Sequence, residues 1–125
     1  MGMYTEFVMT ARIKDVPEVV AVLKYMAGQS DEKPALPDHP LFLAPRWDML
    51  FRCSSYYFVP LSVAKFEYDD IGKYWCLISY ASIKNYDQEI EKFIDWIKPY
   101  VDNDDTMFGY SRYEEMREPT IYYSN

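Results

Sequence analysis

At 125 residues, with 50% hydrophobic and 26% charged side chains, the chain reads as one globular domain that can bury a core without metals or disulfides. Its net charge of −7 comes with no run of Lys and Arg, which argues against direct binding to a nucleic-acid backbone. No signal-peptide pattern and no apolar run of membrane-spanning length occurs, so the expectation is a cytoplasmic protein with no membrane association.

Residues 3–13 alternate. Met3, Phe7, Met9, Ala11 and Ile13 stand against Glu6, Thr10 and Arg12, the pattern of a strand with one buried face. A helix is predicted next, with Asp15 as N-cap, Pro17 in the first turn and Glu18 completing a capping box. Val16, Val19, Val20, Leu23 and Met26 form its apolar stripe, and Gly28 is its stop. Residues 29–45 carry Pro34, Pro37, Pro40 and Pro45 and read as a loop without regular structure, pinned to the core by Leu41, Phe42 and Leu43. A loop of that length in a compact domain is a natural place for a site.

Residues 49–53 and 56–59 read as strands separated by Ser54 and Ser55, and residues 63–68 as a further strand. A hairpin turn over 69–73, with Gly72 supplying a positive φ, leads into a returning strand over 74–83. Residues 85–101 hold the clearest helical pattern, with Tyr86, Ile90, Phe93, Ile94, Ile97 and Val101 on one stripe. Asn85 is its predicted N-cap, Gln88 stands at the capping-box position, and Pro99 ends or kinks the last turn. An acidic loop over 102–106 precedes a final hairpin, residues 107–114 and 119–123. The expected architecture is a single α+β domain over 1–125. It has a mainly antiparallel sheet covered on one face by two helices, and a ferredoxin-like variant is one form of it.

Chemistry is sparse. His39 is the lone histidine, and it stands at no metal-ligand spacing from Cys53 or Cys76, so neither a metal nor another cofactor is expected. The two cysteines belong to no CxxC and read as buried strand thiols, with a bridge between neighbouring strands as the alternative. The acidic run from Asp102 fails the calcium-loop template, which wants Gly and Glu where Met107 and Tyr113 stand. No GxSxG, P-loop or GxGxxG occurs, so no catalytic residue is assigned. Two binding surfaces remain. Arg46, Arg52, Tyr56, Tyr57, Arg112 and Tyr113 could recognise a small or nucleotide-like anion if they converge. Asp87, Glu91 and Asp95 share the polar side of the strongest helix and could dock a partner. Tyr supplies 13 residues, and a Tyr-rich sheet face or edge could also pair with a second copy to form a homodimer.

The segments RWDMLFRCSSYYF, FEYDDI, IKNYDQEIEKFIDWIKPY and YEEMREPTIYY resemble those of a family of small uncharacterised proteins encoded by bacteriophages and bacterial mobile elements. The resemblance spans most of the chain from Leu36 onward. It implies a genomic setting and no catalytic motif. With the acidic charge it leads to the expectation of a non-enzymatic protein that acts on a host protein, in an anti-defence or DNA-mimic role; the alternatives are the small-anion binder and an enzyme with an unrecognised site.

Overall fold

Thr5–Ile13 forms β1, the middle strand of a five-stranded sheet with the order β2-β3-β1-β4-β5. The computed structural model describes residues 4–55, 61–104 and 106–124. Pro17–Met26 (α1) follows β1, then the hairpin Val63–Asp69 (β2) and Tyr74–Ile83 (β3), then Glu89–Ile97 (α2), then the hairpin Met107–Tyr113 (β4) and Thr120–Tyr123 (β5). Every pairing in the sheet is antiparallel. This is the expected α+β arrangement, and the order of the first four strands with their two helices suggests a ferredoxin-like variant extended by β5.

Alternation decides which side of β1 is buried. Phe7, Met9, Ala11 and Ile13 join the apolar stripes of α1 (Val19, Val22, Leu23, Met26) and α2 (Ile90, Phe93, Ile97) in one core. Phe93 meets Phe7 and Phe51 edge-on, at centroid distances of 6.0 and 5.4 Å.

Residues 29–45 are pinned to the core as expected, by two of the three residues named, and they hold a short regular turn that was not expected. Pro40–Leu43 is a 3-10 turn, and Leu41 and Phe42 are buried while Leu43 is 85% exposed. Phe42 lies edge-on to Trp47 at 5.0 Å and to Trp96 at 5.1 Å, so the segment roofs the helices and belongs to the core. The strand predicted over 49–53 is also absent. Trp47–Met49 is a 3-10 turn, and Leu50 and Phe51, adjacent in sequence, are both buried, which a two-residue period does not allow. The strand predicted over 56–59 lies outside the described residues.

Helix ends depart from the expected caps. The N-cap of α1 is Val16, while the Asp15 carboxylate accepts from Trp75 Nε1 at 3.0 Å. The C-terminus of α1 closes as a Schellman motif on Gly28, whose φ is 77°. Gln29 N–H donates to Lys24 O and Gly28 N–H to Tyr25 O. The core of the 85–101 pattern is α2, which runs on into a 3-10 turn at Lys98–Tyr100. Gln88, left-handed at φ 55°, is the N-cap and forms no capping box, although Asn85 Oδ1 still reaches Ile90 N–H at 2.9 Å. In the β2–β3 turn the positive φ belongs to Lys73, at 61°. A Cβ at Gly72 would meet the Tyr74 ring, which would have to swing aside to admit it.

Two side-chain amides finish the sheet. The last residues of β1 extend past β4, and Asn103 stands in for the missing strand. It accepts from Arg12 N–H at 2.7 Å and donates to Thr10 O at 3.1 Å. On the outer edge, Gln29 does the same for β2, donating to Phe66 O at 2.9 Å and accepting from Phe66 N–H at 3.0 Å.

Candidate functional site

The helices cover one face of the sheet, and among the described residues no helix covers the other, called the bare face below. Strand register places one row of large side chains straight across that bare face. Val63 of β2 lies opposite Tyr80 of β3, Tyr80 opposite Val8 of β1, Val8 opposite Tyr110 of β4, and Tyr110 opposite Ile121 of β5. At about 4.8 Å between strands, the row is roughly 19 Å long. Its ends are exposed, Val63 at 43% and Ile121 at 41%, and Ile78 beside it at 46%. Tyr80, Val8 and Tyr110 are half-buried.

One side of the row is charged. Glu6 pairs across to Ser82 and Arg112, and it is only 6% exposed despite standing on the uncovered face. Tyr80 O–H donates to Glu6 Oε2 at 2.5 Å, and Arg112 Nε lies 3.2 Å from Glu6 Oε1. Both carboxylate oxygens are therefore committed, and the buried charge has a cation beside it. Burial and the Glu6 carboxylate push the pKa values of Tyr80 and Tyr110 up, so both rings stay neutral well into alkaline solution. The other side carries Lys65 and Thr10, which stand opposite Ile78. The row is thus an apolar, tyrosine-bearing centre with a polar rim.

The residues singled out in the sequence go to separate places. Arg46 donates to Lys84 O at 2.9 Å and to the buried Glu89 at 3.3 Å, tying the 46–53 segment to the start of α2. Arg52 spends its guanidinium on the terminal carbonyls of α1, Tyr25 at 2.5 Å and Met26 at 3.2 Å. Arg112 is on the bare face, and Tyr113, its neighbour in sequence, points the other way into a cavity of about 340 Å³ with Asn85, Tyr86 and Glu91. Tyr56 and Tyr57 lie outside the described residues. Among the described residues, the arginines do not converge on one pocket. The groove beside the proline-rich segment, about 610 Å³, runs between α1 and residues 30–35 and is walled by Glu18, Lys24, Glu32 and Lys33.

No family model, curated protein or solved structure matches the chain.

Of the acidic set, Asp87 precedes α2 rather than riding on it, while Glu91 and Asp95 share its exposed side. Glu91 accepts from Asn85 at 2.7 Å. Asp95 faces His39 Nε2 at 2.9 Å, with His39 Nδ1 accepting Leu41 N–H at 3.0 Å. The lone histidine thus fastens the proline-rich segment to α2. Cys53 and Cys76 are both free thiols, and burial pushes the Cys53 thiol up. Among the described residues no cluster of three or more His, Cys, Asp or Glu forms a metal-type site, and no helix is long and apolar enough to cross a membrane.

Glu6, Val8 and Tyr80 were missed as site residues by sequence reasoning. The even positions of β1 carry a signal, because a glutamate sits among residues flanked by apolar neighbours. The pairing of β1 with β3 and β4 spans most of the chain, however, and no local pattern encodes it.

Proposed function

We propose that the chain is a non-enzymatic protein-binding module, and that the bare sheet face is its docking surface. The observation that carries this reading is the five-residue row Val63–Tyr80–Val8–Tyr110–Ile121, beside which Tyr80 and Arg112 both bind Glu6. Fixed tyrosines give large amphipathic contact area at little entropic cost. The charged groups of the described residues support a binding role over a catalytic one, because Glu6, Glu89, Arg46, Arg52 and His39 are all engaged in holding the fold. The resemblance to phage-borne proteins makes the partner a protein of the bacterial host, met in its cytoplasm. The net charge of −7 favours a partner with a basic rim.

A photo-crosslinking residue at position 78 or 121, tested in bacterial host lysate, should attach to one defined protein. The same residue at position 95, on the helical side, should not. Ile78→Glu should abolish capture while leaving the far-ultraviolet circular dichroism unchanged. Equal capture from position 95, or capture that survives Ile78→Glu, would overturn the reading.

A further inference from the structure

The edges of the sheet differ in a way that points to a partner for one of them. On β2, the outward N–H and C=O of Phe66 are both taken by Gln29, and Lys65 and Glu67 put charge on the same strand. Those are devices that stop a strand from pairing further. β5 has neither. Its sequence TIYY carries no charge.

The direction of its backbone groups follows from two bonds. Glu114 N–H donates to Tyr4 O, on the β1 side, so by alternation Arg112 and Tyr110 also face β1 while Ser111 and Gly109 face β5. Their partners Thr120 and Tyr122 then face β4. Ser124 N–H donates inward to Thr106 O, which fixes the same parity from the other end. Ile121 and Tyr123 therefore direct their N–H and C=O groups out of the sheet. Among the described residues, no backbone bond outside the sheet takes either of them.

We propose that β5 pairs antiparallel with β5 of a second copy, about a two-fold axis perpendicular to the sheet at Tyr122. The strand suits itself in this register. Ile121 faces Tyr123 of the other copy in a doubly hydrogen-bonded pair, Tyr123 faces its Ile121 likewise, and Tyr122 faces Tyr122 on the axis. A shift toward Pro119 would place a residue with no N–H in the ladder. The perpendicular axis keeps both bare faces on the same side. The row ending at Ile121 then runs on into Tyr123 and Met107 of the second copy, each 50% exposed in the single chain. The dimer would present a doubled docking face, but it does not depend on that face being one.

Four residues of edge form a contact below the roughly 1,200 Å² at which standard interfaces begin, so the dimer is weak. Because each copy carries −7, salt tightens it. Sedimentation equilibrium should show the average mass climbing from one chain toward two between low micromolar and millimolar concentration, with the midpoint moving to lower concentration as salt rises. Ile121→Pro removes an outward donor and leaves the β4 side of the strand intact, so it should give a folded monomer at every concentration. Tyr123→Lys does the same by charge if the proline variant unfolds. With Cys53 and Cys76 replaced by Ser, a mixture of Ile121→Cys and Tyr123→Cys chains should form disulfide-linked pairs on mild oxidation, and neither alone should. A chain that stays monomeric to millimolar concentration overturns the proposal. So does a dimer that survives both edge substitutions, or cross-linking by Ile121→Cys alone.

Discussion

β2 and β5 both end the sheet, yet a glutamine closes one and no described residue closes the other. The contrast shows how little chain is needed to finish an edge. Gln29 follows the Schellman turn of α1 at once, so the helix end itself aims the amide at Phe66. Among the described residues β5 has no helix on its outer side and no backbone partner there. Asn103 makes the same point inside the sheet, where one amide replaces two residues of absent strand.

The largest test of the contrast is to open the closed edge. Gln29→Leu strands Phe66 N–H and C=O, at about 1–3 kcal/mol for each unsatisfied group, so stability should fall by about 2–6 kcal/mol. Urea unfolding measures the loss, and β2 should become a second site of self-association visible by sedimentation. Gln29→Glu separates the two groups. It keeps an acceptor for the N–H but sets a carboxylate against Phe66 O, so its penalty should shrink at acidic pH as the carboxyl regains a proton. A pH-independent loss would mean that the amide acts only by filling space.

On the core side of the sheet, Gly109 lets β4 lie close to β1, because a Cβ there would sit 2.6 Å from Val8 O and against the buried Met9. Gly109→Ala should cost about 1–3 kcal/mol by thermal unfolding, and amide exchange should rise along β4 and β5 before β2 and β3. Alkaline pH gives a smaller effect. Tyr80, Tyr110 and Tyr122 all ionise above their ordinary value of 10.0, chiefly because of burial. Above that pH the unfolded chain releases these protons first and binds fewer than the folded one, so stability is full below it and falls as pH rises further. Tyr80→Phe should flatten part of that fall, as read by unfolding midpoints across the range. The smallest effect is expected at Asp95, which is 81% exposed. Asp95→Ala should change stability by no more than about 0.5 kcal/mol.

The hairpins, the alternation of β1 and the apolar stripes of both helices were legible because each is written in neighbouring residues. The Gly28 stop was legible for the same reason. The cap at Asp15 failed because its carboxylate had a tertiary suitor in Trp75, 60 residues away. The 49–53 strand failed because Leu50 and Phe51 are apolar for a core contact with α2 and the 3-10 turn, a demand that overrode propensity. The arginines looked like a recognition set because nothing local reveals that Arg52 would be drawn to the end of α1 or Arg46 to Glu89. The row across the bare face needs five strands in register, and only the hairpin pairs of that register are local.

Gln29 and Phe66 are 37 residues apart, yet one side chain joins the end of α1 to the edge of β2. If the last turn of α1 frays, the amide leaves with it and the β2 edge is uncovered in the same step. The backbone amides of Gln29 and Phe66 should then exchange with solvent deuterium at the same free energy of opening. The end of a helix would thus act as the latch that decides how long a strand is kept from water.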